Sequence, residues 1–83
     1  MRVLPLTLRL SRYLTRHGME RAFTKQLVLF VTNPRHPSLH TEVLEPKHLG
    51  IYSFRVTKRY RALFVYCGDG VVEVIDINNH YTD

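Results

Sequence analysis

Basic side chains cluster in the segment YSFRVTKRYRALFVY, residues 52–66. The segment holds no acidic residue, and its basic residues are Arg55, Lys58, Arg59 and Arg61. Its aromatic and β-branched residues are typical of β-strands. Arginine is suited to phosphate because its planar guanidinium group donates parallel hydrogen bonds to two oxygens. The segment therefore predicts a sheet that presents cations to a polyanion, with ordinary solvated strand charges as the alternative.

His80, close to the end of the chain, adds a group that can exchange protons. Imidazole is the side chain best suited to proton transfer near neutral pH. If the fold brings this imidazole beside the arginines, the result is a polyanion site with a titratable group in it. The alternative is a surface histidine without a catalytic role. The strand register decides between the two.

The composition indicates a single folded domain over residues 1–83. Hydrophobic residues make up 45% of the chain and aromatic residues 11%, which favours a globule over a disordered segment. The formal net charge is +5 and the pI is near 9.8. Such a charge favours nucleic acid, an acidic protein or an anionic membrane surface as the partner, without choosing among them.

Several kinds of protein are not expected. No segment approaches the roughly 20 apolar residues that span a bilayer, and the N-terminus lacks the pattern of a secretory signal. The single cysteine, Cys67, can form no internal disulfide, so a reducing cytoplasm fits best. His36 and His40 have the spacing of zinc ligands on a helix, but Pro37 argues against a helix there. We expect a cytoplasmic protein without a metal or another cofactor.

Two helices are predicted in the first half of the chain, after a short N-terminal edge strand. Residues 7–17 have an apolar side at helical spacing, with Thr7 as the capping residue and Gly18 as the end. Apolar residues recur at the same spacing over 19–31, and the Asn-Pro pair at 33–34 ends that run.

Three strands are predicted in the second half, over 52–57, 60–66 and 71–77. A proline-rich loop, residues 33–50, precedes them and has room for a short turn or strand near 41–44. The fold class is therefore α+β: an N-terminal strand, two helices and then a three-stranded antiparallel meander, with the helices packed on one face of the sheet.

The hairpin turns predict which side chains share a face. Asp69-Gly70 suits a two-residue type I′ turn, and strand pairing then alternates strictly from it. The predicted opposite pairs are Arg61 with Asn78, Ala62 with Ile77, Phe64 with Ile75 and Tyr66 with Glu73. The same alternation places His80 on the Arg61 face. A three-residue loop over 58–60 pairs Thr57 with Arg61 and adds Arg55 to that face, whereas a two-residue loop does not.

Under the three-residue choice, the sheet has one apolar and one mixed face. The apolar face is expected to pack against the helices and carries Tyr52, Phe54, Val56, Ala62, Phe64, Tyr66, Ile75 and Ile77. The mixed face carries Ser53, Arg55, Thr57, Arg61, Asp76, Asn78 and His80, with Leu63, Val65, Val72 and Val74 between them. The apolar residues of the mixed face need cover, either from the 33–50 loop or from a partner.

The span 33–83 resembles toxins of the RelE/ParE superfamily, which come from bacterial and archaeal toxin–antitoxin pairs. The matching motifs are Asn-Pro at 33–34, Gly-x-Tyr-Ser-x-Arg-Val at 50–56, YRALFVY at 60–66 and INNHY at 77–81. Before these motifs only the order of elements agrees. The resemblance implies a small sheet with two helices on one face, a cognate antitoxin as partner and, in the RelE branch, metal-independent cleavage of ribosome-bound mRNA.

The resemblance also implies roles for single residues. In that branch the substrate's own 2′-OH attacks the adjacent phosphate. Arg61 matches the family's phosphate-binding arginine, and Arg55 matches a second cationic position. His80 matches a general acid or another cation.

Two further matches come from the YoeB-type toxins within this branch. Tyr81 completes a His-Tyr pair with His80 like that of those toxins. Glu42 stands eight residues before Gly50, where they place a catalytic base. The chain departs from members with a longer C-terminal helix, because it ends at Asp83. Four loop cations are expected to help hold the RNA backbone, with ordinary solvated loop charges as the alternative: Lys47, His48, Lys58 and Arg59. Ribosomal RNA is a further expected partner.

Two other functions remain open for this fold. ParE-like relatives inhibit DNA gyrase and cleave nothing, and a descendant of the fold could bind RNA or protein without catalysis. The INNHY terminus favours the nuclease, because an inhibitor needs no proton donor there. The expected function is therefore that of a toxin whose antitoxin covers the sheet face or inserts acidic side chains among Arg55, Arg61 and His80.

Overall fold

The helices and strands follow one another in the predicted order. The structure is a computed structural model that describes residues 1–80, so Tyr81 lies outside the described residues. Its elements are β1 (Arg2–Val3), α1 (Leu8–Arg16), α2 (Glu20–Thr32), β2 (Glu42–Val43), β3 (Tyr52–Arg55), β4 (Arg61–Gly68) and β5 (Val71–Asn78). Two 3₁₀ turns, Pro37–Leu39 and Lys47–Leu49, flank β2. The short strand expected near 41–44 is β2.

Capping residues explain where α1 begins and ends. The side-chain oxygen of Thr7 accepts a hydrogen bond of 3.3 Å from the backbone N–H of Leu10, which satisfies one of the free donors of the first turn. His17 closes the helix, and Gly18 follows with a φ of 63°. This left-handed conformation is accessible to glycine because it has no Cβ. Both ends agree with the sequence-based prediction.

The strands form one five-stranded mixed sheet within residues 1–80. The strand order is β1-β5-β4-β3-β2. β1 pairs with β5 in parallel, and the other neighbours are antiparallel. The predicted meander is therefore the centre of the sheet, with β1 and β2 added at its two edges. The α+β class and the packing of both helices on one sheet face are confirmed.

The register between β4 and β5 is correct at one end and wrong at the other. Arg61 pairs with Asn78, and Ala62 pairs with Ile77, as predicted. Two bulges then shift the register, because Ile75 on β5 and Cys67 on β4 have no opposite residue. Beyond these bulges the pairs are Phe64 with Val74 and Tyr66 with Val72.

The bulge in β5 also changes which valines face the helices. Val72 and Val74 are buried in the core at 0% and 3% exposure, whereas Ile75 is only half-buried. These two valines were predicted on the mixed face, and that prediction is wrong. They need no cover from a loop or a partner, because the helices already bury them.

The core lies between the helices and the apolar face of β3, β4 and β5. Phe30 of α2 is fully buried and contacts Phe54 and Phe64 with ring centroids 5.0 and 4.7 Å apart. Leu10 and Leu14 bury the inner side of α1. Aromatic contacts of this kind add to the stabilisation that buried area provides.

The β3–β4 loop is longer than predicted, but it preserves the faces. β3 ends at Arg55 and β4 begins at Arg61, so that the two arginines are directly opposite each other. Thr57 lies in the loop and not opposite Arg61, where it was predicted. The difference between the predicted and observed loops is two residues, which leaves Arg55 on the same face because side chains alternate with a period of two.

A buried glutamine ties the 33–50 connection to the sheet. The side-chain amide of Gln26 donates to the carbonyl oxygens of Ser38 and Arg55, at 3.2 and 2.8 Å. Leu39 is fully buried beside these contacts in the core cluster. In the described part of the chain, neither helix has the length and apolar character needed to cross a bilayer.

Candidate functional site

Arg61 is a buried arginine at the start of β4. Its exposure is only 5%, although charged side chains are rarely buried without partners. Arg55 on β3 and Asn78 on β5 are the residues opposite it. The side chain lies on the sheet face that points away from the helices, as the sequence predicts for a phosphate-binding residue.

Three groups hold the guanidinium group of Arg61. Its Nε donates to the hydroxyl oxygen of Ser53 at 2.9 Å, and its Nη2 donates to the backbone carbonyl of His40. Nη2 also lies 3.2 Å from Oε1 of Glu42. Hydrogen bonds on both nitrogens fix the plane of the guanidinium group.

The carboxylate that the 52–66 segment lacks is therefore supplied by β2. Glu42 is opposite Ser53 in the β2–β3 pairing, and Ser53 is completely buried behind the arginine. The side chain of Glu42 remains 57% exposed, so it pairs with Arg61 from the solvent side. The pair therefore has one buried and one solvent-exposed partner, and solvent weakens it from the carboxylate side only.

A cavity of about 240 Å³ brings the predicted residues Glu42, Arg55 and Arg61 together. We call it the arginine cavity. His40 and Thr41 complete its lining. Two guanidinium groups against one carboxylate leave an excess positive charge, which attracts an anion. The cavity can therefore hold a phosphoryl group and offers it charge-assisted hydrogen bonds.

His80 lies just beyond β5 and is exposed. Its backbone N–H donates to the side-chain oxygen of Asn78 at 3.1 Å, and Asn78 in turn donates to Asp76 at 2.8 Å. Asn78 is the residue opposite Arg61, but His80 is not among the residues that line the arginine cavity. Its role as the proton donor stays a prediction.

The predicted RNA-backbone cations lie outside the arginine cavity. Lys47 and His48 belong to an exposed 3₁₀ turn, and Lys58 and Arg59 lie exposed in the β3–β4 loop. None of the four lines the cavity. Their role stays a prediction, as does that of Tyr81, which lies outside the described residues.

Sequence reasoning missed His40 and Ser53 as parts of the site. His40 has a φ of 45°, which is uncommon for a residue with a side chain, and this turn aims its carbonyl at Arg61. Ser53 belongs to the Gly-x-Tyr-Ser motif, so its position was visible in the sequence, but its contact with Arg61 depends on strand pairing. His36 binds Ser38 at 3.0 Å, and residues 1–80 contain no group of three side chains arranged to hold a metal ion.

An aromatic cluster braces the loop that precedes Arg61. The ring of Tyr13 on α1 lies 4.3 Å from that of His17 and 6.2 Å from that of Tyr60. Burial, and then the charge and hydrogen bond of Tyr60, raise the pKa of Tyr13 above its ordinary value of 10.0. The cluster lies on the helix side of the sheet. It therefore supports the strand that carries Arg61 from the face opposite to the arginine side chain.

The sequence is similar to known proteins over only part of its length. No family model matches the chain. A segment of 47 residues is 45% identical to an uncharacterised protein from Haemophilus influenzae. That segment covers 57% of this chain but only 41% of the Haemophilus protein, so the chain spans about two fifths of the length of this relative.

Solved structures of several toxins have the same fold as this chain. The fold is similar to a YoeB/ParE toxin from Agrobacterium tumefaciens, with a TM-score of 0.72 and 22% identity over 98% of this chain and 100% of that one. YoeB in a YoeB-YefM toxin–antitoxin complex from Staphylococcus aureus gives a TM-score of 0.69 with 16% identity over 98% of each chain. YafQ from E. coli gives a TM-score of 0.71 with 8% identity over 95% of this chain and 90% of that one. The chain has the fold that these YoeB/ParE, YoeB and YafQ toxins share.

Proposed function

We propose that this chain, on its RelE/ParE-type toxin fold, is the toxin of a toxin–antitoxin pair and a metal-independent, ribosome-dependent mRNA endonuclease. The observation that carries the proposal is the buried guanidinium group of Arg61, which shares a cavity with Arg55 and Glu42. Burying a cation costs desolvation energy that a half-exposed carboxylate repays poorly. Such a residue is better explained by an anionic substrate than by stability.

The proposed reaction is an internal transfer of the phosphoryl group. The 2′-oxygen of one nucleotide gives its proton to Glu42 and forms a bond to the adjacent phosphorus. The bond from phosphorus to the 5′-oxygen breaks, and His80 donates a proton to that oxygen. The products are a 2′,3′-cyclic phosphate and a 5′-OH end. Every atom comes from the RNA, with one proton accepted and one donated.

Arg61 and Arg55 stabilise the charge that develops on the phosphoryl oxygens. The protein hydrogen bonds of Arg61 use Nε and Nη2, which leaves the two N–H groups of Nη1 for the substrate. Arg55 is half-buried on the same cavity. Donors that are already in place when charge develops are the strongest single contribution to many enzymatic rates.

An antitoxin partner is part of the same proposal. The similarity to YoeB, which is found in a complex with YefM, supports it. The positive charge of the arginine cavity suits an acidic segment of such a partner. The site would then be inactive until the antitoxin is removed, in a cytoplasm where ribosomes are the target.

The test adds the purified protein to translating ribosomes and to naked RNA and maps the ends of the products. We expect cuts that need the ribosome and leave 5′-OH ends. Arg61→Ala should abolish them, and His80→Ala should slow them by roughly 10²–10⁴-fold. Because Arg61 is buried, Arg55→Ala and Glu42→Gln provide variants of less buried residues. Arg12→Ala, at an exposed position on α1, is the matched control and should cut normally.

Two outcomes would count against the nuclease. Uncut mRNA together with blocked supercoiling by DNA gyrase would favour a ParE-like inhibitor. Uncut mRNA without any effect on gyrase would favour a binding module that lacks catalysis. Equal cutting by wild type and by folded Arg55→Ala and Glu42→Gln would show that the arginine cavity is not the site.

A further inference from the structure

A second and larger cavity lies next to the arginine cavity. Its volume is about 580 Å³, within the range of pockets that take small ligands. We call it the tyrosine cavity. Its polar and aromatic lining residues are Arg35, His36, His40, Thr41, Tyr52 and Tyr66. The proposed reaction does not use it.

The two cavities share a wall at the edge of the sheet. His40 and Thr41, which directly precede β2, line both. Tyr52 is opposite Phe64 and so faces the helix side, whereas Arg61 faces the other side. A chain that passes over this edge would therefore contact both cavities with neighbouring groups. The contact of Arg61 with the carbonyl of His40 fixes the wall between them.

Two tyrosines form an aromatic platform in the tyrosine cavity. Tyr52 stacks on buried Phe64 with ring centroids 5.6 Å apart, and this contact makes it rigid. Tyr66 meets Tyr52 edge-on at 5.2 Å, with 79° between the ring planes. Tyr66 is nevertheless 51% exposed, although its strand position is on the face that packs against the helices. An exposed aromatic ring held in a fixed orientation is suited to stacking on a flat ligand.

The basic charge around this platform favours an anionic ligand, and the two aromatic rings favour a nucleic acid over an acidic peptide. Arg35 is exposed at the cavity, His36 and His40 lie beside it, and its lining contains no acidic residue. Aromatic rings together with basic side chains are the usual combination at sites for single-stranded nucleic acid. The adjoining arginine cavity supplies the place for a phosphate.

We infer that the tyrosine cavity holds a nucleobase of single-stranded RNA whose neighbouring phosphate occupies the arginine cavity. This inference rests on the proposed function and specifies where its substrate binds. The base stacks on Tyr66, with Tyr52 as the rigid support, and Arg35 contacts the backbone of the same strand. The strand crosses the sheet edge at His40 and Thr41.

The experiment measures the binding of trinucleotides with 2′-O-methyl riboses, which cannot be cleaved because they lack the attacking hydroxyl. One probe is intact, and each of three others lacks one base. We expect Tyr66→Ala to weaken binding of the intact probe by roughly 5–150-fold. At least one probe without a base should lose this sensitivity, because the stacking partner is already gone. Tyr66→Phe should bind like the wild type.

Two controls separate stacking from folding and from general charge. Val28→Ala removes another exposed apolar side chain, 59% exposed on α2, and should leave the affinity unchanged. Arg35→Ala should weaken all four probes alike, because it contacts the backbone, whereas Arg21→Ala at an exposed position on α2 should have little effect. The Tyr66 ring resonances should shift on binding of the intact probe.

The inference is overturned if Tyr66→Ala weakens every probe equally or none of them, or if the wild type binds no probe. It is also overturned if Tyr66→Ala weakens only antitoxin binding, which would assign the cavity to a protein. Failure of the nuclease proposal is distinguishable. Base-dependent binding without cleavage on ribosomes would support the tyrosine cavity as a base site and reject the proposed reaction. Normal cleavage by Tyr66→Ala, together with base-independent binding, would support the reaction and reject the base site.

Discussion

Ser53→Ala tests whether the buried hydroxyl positions Arg61. Ser53 is completely buried, and its oxygen accepts the hydrogen bond of Arg61 Nε at 2.9 Å. It does not line the arginine cavity. Any effect of the substitution on substrate binding must therefore pass through the arginine.

The expected loss of stability follows from this one hydrogen bond. A hydrogen bond to a charged group contributes about 1.5–3 kcal/mol, and removing a single oxygen leaves too little space to add a large cavity cost. The unfolding free energy should fall by about that amount. With a urea m-value of about 1 kcal/mol/M for a chain this small, the midpoint should shift down by roughly 1.5–3 M.

A double-mutant cycle in urea isolates the pair. Ser53→Ala, Arg61→Ala and the double variant are compared with the wild type, and Ser11→Ala on the exposed side of α1 is the control. Contacting residues show coupling energies of about 0.5–3 kcal/mol, and we expect at least ~1 kcal/mol here. The control should change stability by less than about 0.5 kcal/mol.

Coupling near zero would refute the reasoning. It would mean that Ser53→Ala costs as much without the guanidinium group as with it, so that the hydroxyl acts through packing alone. On ribosomes, the variant should still bind mRNA but cut more slowly, because the fork of Arg61 is less firmly held. If Ser53→Ala cuts at the wild-type rate although Ser53 and Arg61 are strongly coupled, the hydroxyl stabilises the fold through Arg61 but does not affect catalysis.

Three further predictions concern the scaffold. Gln26→Met leaves two partly buried carbonyl oxygens without their donor, so urea unfolding should show a loss of about 1–3 kcal/mol; an unchanged midpoint would contradict this. Asp69 has a φ of 52°, so Asp69→Val should cost about 1–2 kcal/mol, while Asp69→Gly should stay within about 0.5 kcal/mol. Burial raises the pKa of Tyr13 above 10.0, so its contribution to stability is complete below that pH and is lost as the pH rises through the folded-state pKa. Tyr13→Phe should therefore flatten the alkaline decline of the unfolding free energy, and an unaltered decline would reject that assignment.

Local signals in the sequence were sufficient for the elements and for half of the register. Thr7 and Gly18 fix the ends of α1 through capping and backbone conformation, and both act within a few residues. The turn at Asp69 and Gly70 likewise brings β4 and β5 together as predicted. The bulge at Ile75 could not be foreseen, because it depends on how side chains fill the space under the helices and not on a local preference.

The place of Glu42 in the candidate site could be predicted only from the resemblance. Glu42 and Arg61 come together because β2 pairs with β3 across a long connection, and no spacing in the sequence encodes that pairing. His40, which lies just before β2, contacts the arginine for the same reason, whereas Ser53 reaches it through the pairing of β3 with β4. The polar face that holds Arg55 was predictable, since alternation along a strand survives a change of two residues in the loop.

Under the proposed function, the pair formed by Glu42 and Arg61 makes one site both stable and reactive. Without a ligand, the carboxylate neutralises part of the guanidinium charge from the solvent side, while Ser53 and the carbonyl of His40 hold the group from within. A phosphate that enters binds the N–H groups of Nη1, while the carboxylate remains on Nη2. The carboxylate then lies beside the bound phosphate, where the proposed reaction needs a base to take the 2′-proton. Desolvation that Arg61 has already undergone in folding is not repeated on binding, so the buried cation attracts the substrate more strongly than a surface arginine would.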